Sequence, residues 1–140
     1  MHDPKAVQDE IIGSFSLFPE WLDRYQYLID LGRKLPTLSA EEKTDDKLLA
    51  GCQSRVWLLL EGGPDEITIR ANSDAAIVSG LIALLIEVYS GCSARQIIET
   101  EPYFINEIGL ADHLSPTRAN GLHAMLNAIQ AYAAGQIQTA

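Results

Sequence analysis

The chain has little cysteine: two among 140 residues, Cys52 and Cys92. That is too few for the bridge framework of a small secreted scaffold. His2, His113 and His123 stand at no short spacing from either thiol, so a metal centre built by this chain alone is not expected. Positive charge is scarce as well. Ten Lys and Arg face nineteen Asp and Glu, a formal charge of −9 that repels phosphate backbones and sets nucleic acid aside as a partner. No apolar run approaches the ~20 residues a bilayer needs. The longest, Leu81 to Ile86, is stopped by Glu87, and no membrane partner is expected. Met1 to Lys5 has neither the basic nor the apolar stretch of a secretion signal, which leaves the cytoplasm as the expected compartment. A glycine-rich phosphate loop is missing too: Gly62-Gly63 runs into Pro64 and not into a helix, so neither ATP nor NAD is indicated.

What is present is an ordinary globular composition, 47% hydrophobic and 21% charged. The length suits one domain over residues 1–140, able to bury roughly 68–70% of the surface of its unfolded chain. Asp3-Pro4 places an N-cap before an N1 proline, and Val7 with Ile11 marks a short helix ending near Gly13. Trp21, Leu22, Tyr25, Leu28 and Ile29 set the stripe of a second helix, which Gly32 closes. Ser39-Ala40-Glu41-Glu42 fits a capping box and predicts one or two helical turns before a polar connector, Thr44 to Lys47.

The period then changes. Arg55 to Leu60 reads as a mostly buried strand and Ile67 to Ala71 as a half-buried one, joined by Gly62-Gly63-Pro64-Asp65 in a hairpin, with Leu48 to Ala50 as a short candidate third strand. Ser73-Asp74 is expected to cap a helix from Ala75 to Tyr89 that has almost no polar face and ends at Gly91. Ser93 to Gln96 caps another, Pro102 starts one that stops at Gly109, and Ser115-Pro116 opens a long last helix with Leu122, Leu126, Ile129 and Ala133 on one face. The expected class is α+β: a small antiparallel sheet of two to three strands flanked by helices.

Among reactive groups, Cys52 stands out by position. It lies between a polar connector and the first strand, with Gly51 beside it, and loops held by a rigid sheet are where reactive groups tend to sit. Arg55 would lower its pKa, whereas Asp45 and Asp46 would raise it if they came close. On spacing alone, a small buried hydrophobe is the preferred reading of Cys52 and of Cys92 alike. His113 and His123 read as packed or surface residues rather than bases.

The heptad Gly51-Cys52-Gln53-Ser54-Arg55-Val56-Trp57 resembles the Gly-Cys-Gln/Glu-x-x-Val-Trp signature of the SufE proteins, sulfur acceptors of iron–sulfur cluster assembly. Further matching runs follow in order: Tyr27 to Gly32 with Leu35-Pro36, Ser73 to Val78 with Gly80-Leu81, and Leu114 to Arg118 with Gly121-Leu122, so the likeness spans about Trp21 to Tyr132. It implies an α+β fold shared with the scaffold proteins of cluster assembly. It also implies that Cys52 receives sulfane sulfur from the persulfide of a SufS-type cysteine desulfurase, stimulates that enzyme, and passes the sulfur to a downstream iron–sulfur scaffold. The pyridoxal phosphate belongs to the desulfurase, so this chain carries no cofactor and is a sulfur-transfer partner rather than an enzyme. Asp74 and Arg118 match family positions near the cysteine or at the desulfurase surface, and Gly51, Gln53 and Arg55 join them as loop-positioning or partner-binding residues. Cys52 is expected to rest in an apolar shelter beneath Trp57 or a leucine. Asn72 departs from the family, which often has an acidic residue there, and Cys92 is no family feature. A homodimer is left open, and a redox-sensing thiol protein or a non-catalytic interaction module of the same fold are the rival readings.

Overall fold

A computed structural model of the chain describes residues 2–50 and 54–138. It is an α+β fold in the order α1 (Pro4–Phe15), α2 (Trp21–Arg33), a 3-10 turn (Asp45–Lys47), β1 (Val56–Gly63), β2 (Glu66–Ser73), α3 (Ala76–Tyr89), α4 (Ala94–Glu99), α5 (Phe104–Glu107), α6 (Leu110–His113) and α7 (Pro116–Gln138).

β1 and β2 form an antiparallel hairpin with Val56 opposite Ser73 and Gly63 opposite Glu66. The expected third strand reduces to a single bridge between Leu48 and Trp57, because a three-residue segment after a 3-10 turn offers one ladder bond, Leu49 N–H to the Val56 carbonyl at 2.9 Å. One face of the sheet packs on α3, whose Leu81, Ile82, Leu84, Leu85 and Val88 are all buried. Each such side chain contributes about 1.5–3 kcal/mol of burial free energy, which explains why a helix with so little polar surface sits at the centre. α7 closes the core with Leu122, Met125, Leu126, Ile129 and Ala133, the stripe expected from the sequence. Gly91, at φ +89, ends the α3 segment as expected, and Ser93 and Gln96 make the capping box of α4.

Four expectations need correction. α1 runs through Gly13 to Phe15; a glycine stop needs the left-handed backbone, and Gly13 does not adopt it. Gly32 lies inside α2, and its purpose is contact: a Cβ there would sit 2.7 Å from the Gly80 nitrogen, so Gly32 and Gly80 let α2 and α3 cross backbone against backbone. Ser39 and Glu42 do make their reciprocal bonds, Glu42 N–H to Ser39 Oγ at 3.2 Å and Ser39 N–H to Glu42 Oε1 at 3.1 Å, yet no helix follows. The Glu42 carboxylate is also gripped by the Arg70 guanidinium at 2.6 and 3.0 Å, and Lys43 lies over the Trp57 ring at 5.4 Å, so the turn is tied down onto the sheet before it can propagate. Lastly, the helix stopping at Gly109 is the short α5, and the left-handed Gly109, φ +80, leads into a second short helix, α6, that the sequence did not announce.

Candidate functional site

Gly51, Cys52 and Gln53 lie outside the described residues; the structure shows what flanks them. The Leu49–Val56 bond joins the two sides of this loop at its base. On the strand side, Asp74 Oδ1 accepts the Arg55 N–H at 3.1 Å while the Asp74 N–H donates to the Arg55 carbonyl at 3.3 Å. Asp74 therefore does not cap α3 as expected: the helix starts at Ala76, its N-cap is Ala75, and no side chain caps it. The pairing of Val56 with Ser73 carries Asp74 just past the end of the ladder, opposite Arg55, so the two residues meet because the register puts them there.

Beside Ser54 opens a hollow of about 20 Å³, room for about one water. Val56, Val78, Leu81 and Leu122 give it an apolar floor, and Ser54 and Arg118 stand at its rim. Arg118 comes from the first turn of α7, where its N–H donates to Ser115 Oγ at 3.3 Å. Its side chain is exposed and makes no ion pair among the described residues. The positive end of a long helix and an unpaired guanidinium thus face the hollow, a setting that favours negative charge on a nearby group. Arg55 is exposed, and only its backbone takes part in the contacts shown. Of the residues selected from the sequence, the structure brings Arg55 and Asp74 into contact and places Arg118 near them through the shared neighbour Ser54. The floor residues Val78 and Leu122 read as ordinary core positions in the sequence, and no local signal separates the two uses.

Asn72, the departure from the family pattern, has a structural task. It accepts the Leu38 N–H at 2.7 Å and donates to the Pro36 carbonyl at 3.0 Å, holding that segment on the sheet; a carboxylate could accept but not donate. Cys92 is fully buried, its Sγ donates to the Val88 carbonyl at 3.5 Å, and burial pushes its thiol up to about 11. Its carbonyl accepts the Ile67 N–H, so it sits at the turn end of β2, about 20 Å along the strand from Ser73. His123 is exposed on α7, and His113 stacks on Trp21 at 3.8 Å. Among the described residues no three His, Cys, Asp or Glu side chains cluster as a metal site, and no helix is long and apolar enough to cross a membrane.

A hairpin backed by one buried helix, with Arg55 and Asp74 paired at the start of β1 and Arg118 near them, defines an α+β protein. The family model for SufE, described as an Fe-S metabolism associated domain, matches residues 9–133, and the chain belongs to the SufE family. It is 39% identical to an uncharacterised SufE-like protein of Rhizobium meliloti (strain 1021), over 92% of this chain and 96% of that one. It is also 39% identical to an uncharacterised SufE-like protein of Rhizobium etli, over 89% and 88% of the two chains. The fold is shared, at a TM-score of 0.75 and 22% identity over 94% of this chain and 96% of the other, with a hypothetical protein from Thermus thermophilus whose solution structure is known. Membership associates the chain with iron–sulfur metabolism.

Proposed function

We propose that Cys52 takes sulfane sulfur from the persulfide of a pyridoxal-phosphate-dependent cysteine desulfurase and passes it to an iron–sulfur scaffold. The Cys52 thiolate attacks the outer sulfur of the donor persulfide; a Cys52 sulfur–sulfur bond forms, the donor's sulfur–sulfur bond breaks, and the donor thiolate leaves. Stimulation of the desulfurase follows, because its own persulfide is cleared. The cofactor stays with the desulfurase, this chain acts as its protein substrate rather than as an enzyme, and a cytoplasmic site of action suits the reactive cargo. The observation that carries the reading is the Gly51 to Trp57 signature, whose last two residues open β1, in a chain of this family.

Acidity of the thiol is the smaller lever. Lowering a pKa from ~8.5 to ~7 raises the thiolate fraction at pH 7 about 16-fold, but nucleophilicity falls about fivefold over the same interval, a net gain of about threefold. Positioning is worth effective molarities of ~10⁵ M or more. Asp74 then serves by fixing the Arg55 backbone, Arg118 by offering a cation at the hollow's rim or to the partner, and the hollow by sheltering a sulfur from water. Gly51 and Gln53 share the loop. The test is intact-mass spectrometry after incubation with desulfurase and L-cysteine. Wild type and Cys92→Ser are expected to gain the mass of sulfur and Cys52→Ser none; a wild-type chain that stays unmodified refutes the proposal.

A further inference from the structure

Three large hydrophobic side chains among the described residues are exposed, and two of them bracket one turn: Leu17, 76% exposed, and Leu22, 80% exposed, on either side of the α1–α2 junction. Single exposed leucines are common and signify nothing. What sets this pair apart is how firmly its turn is fastened, and to what. Arg24 Nε donates to the Phe18 carbonyl at 2.6 Å, closing the turn, and Arg24 Nη1 donates to the Ile108 carbonyl at 2.9 Å. Trp21 stacks on His113 with ring centroids 3.8 Å apart and planes 11° from parallel, and the Tyr25 hydroxyl donates to the His113 carbonyl. The ridge is thus fixed to the segment that runs straight into the first turn of α7. Arg118 follows His113 by five residues, so its Cα lies within about 17 Å. A standard interface of about 800 Å² per partner is about 30 Å across. A partner that covers Arg118 and His113 together therefore lies against Trp21, which stacks on His113 beside Leu22.

Charge selects the occupant. Glu20 and Asp23 flank Leu22 in sequence, both exposed, and neither has an ion-pair partner among the described residues. A two-fold contact with a second copy would bring these carboxylates toward their own images in a chain of net charge −9. An anionic lipid surface would be repelled for the same reason. A partner presenting an apolar recess bordered by Lys and Arg is complementary. We infer that Leu17 and Leu22 form a second contact of the desulfurase docking surface, received by such a recess. The inference rests on the sulfur-acceptor reading and adds to it a contact away from the reacting sulfur.

The test is the initial rate of Cys52 sulfur loading by a SufS-type desulfurase with L-cysteine, measured against acceptor concentration. Leu17→Ser/Leu22→Ser is expected to raise the apparent KM about tenfold with the maximal rate within twofold of wild type. Glu20→Lys/Asp23→Lys is expected to raise KM as well and to flatten its dependence on salt. Because Leu17 and Leu22 are exposed, melting temperature and the rate of Cys52 alkylation by iodoacetamide should stay as in wild type in the leucine variant, while the lysine variant should melt slightly lower because its cations stand at the positive end of α2. A wild-type KM in the leucine variant, with wild type itself loading normally, overturns the docking inference alone. A wild type that does not load overturns the sulfur-acceptor reading and the inference with it. A wild-type dimer that the leucine variant splits in sedimentation assigns the ridge to self-association and likewise overturns it.

Discussion

Replacing Gly80 by alanine tests whether the crossing of α2 and α3 is as close as the structure has it. The new methyl would lie 2.6 Å from the Leu28 carbonyl carbon, 2.9 Å from its Cβ and closer still to its carbonyl oxygen, where real Cβ atoms essentially never come within 3.0 Å. The obstructing atoms are mostly backbone, so no rotamer change relieves the clash, and the two helices must part by several tenths of an ångström or more. Overpacking of this kind costs about 1–3 kcal/mol, occasionally more, and the backbone contact puts Gly80 at the upper end. Alanine returns about 1 kcal/mol through helix propensity. The net expectation is a loss of about 2 kcal/mol, a melting temperature lower by roughly 6–8 °C for a chain of this length. Gly13→Ala is the matched control: it sits in α1 with nothing within 4 Å of the added Cβ, so the same propensity gain acts unopposed and the melt should move upward. Circular-dichroism melts of both variants decide the matter. A Gly80→Ala chain that melts at or above the wild-type temperature refutes the close crossing. The consequence reaches the site, since Val78 and Leu81 flank Gly80 and floor the hollow beside Ser54.

Two further expectations concern titration. The hydrogen bond from Arg70 holds the Glu42 carboxyl at about 2, below its ordinary 4.5, so the unfolded chain binds more protons at this group between those values. Its stabilising contribution is complete above about pH 4.5 and disappears as pH falls toward 2; urea midpoints for Glu42→Gln across that window should show a shallower acid slope, and an unchanged slope would count against the Arg70 pairing. Cys92, with its thiol pushed up to about 11, is only about 0.1% thiolate at pH 8. In a Cys52→Ser background iodoacetamide should leave native protein unmodified and label it in urea, and native labelling at the rate of a free cysteine would contradict the burial.

Local rules carried much of the fold because, where they applied, nothing competed with them. Asp3-Pro4, Ser93 with Gln96 and Gly91 each act within about one turn of backbone, the Leu122 to Ala133 stripe acts within one helix, and each appears as expected. The failures occur where a distant element outbid the local signal. Glu42 satisfies its capping box and still makes no helix, because Arg70 on β2 holds the same carboxylate. Gly32 looks like a stop, yet its contacts are Ser79 and Gly80, more than forty positions away. The site divides the same way. The resemblance marked Arg55, Asp74 and Arg118, but the pairing of the first two depends on strand register, which a sequence leaves open, and the hollow beside Ser54 and Arg118 is lined by residues that serve the core as well.

Asp74 shows how these levels meet. Ser-Asp ahead of an apolar helix is a strong cap pattern, and a missing side-chain cap costs about 1 kcal/mol. α3 goes without one, yet nine of its fourteen residues are buried, and that burial exceeds the value of a cap several times over. A helix held so firmly by packing does not need its cap, so the carboxylate is available to fix the Arg55 N–H three residues after Cys52. In a marginal helix, losing a capping carboxylate would unwind the first turn. Here the consequence of removing Asp74 falls on the entry to β1 and leaves the helix standing, because the bond to the Arg55 N–H is the one its side chain makes among the described residues.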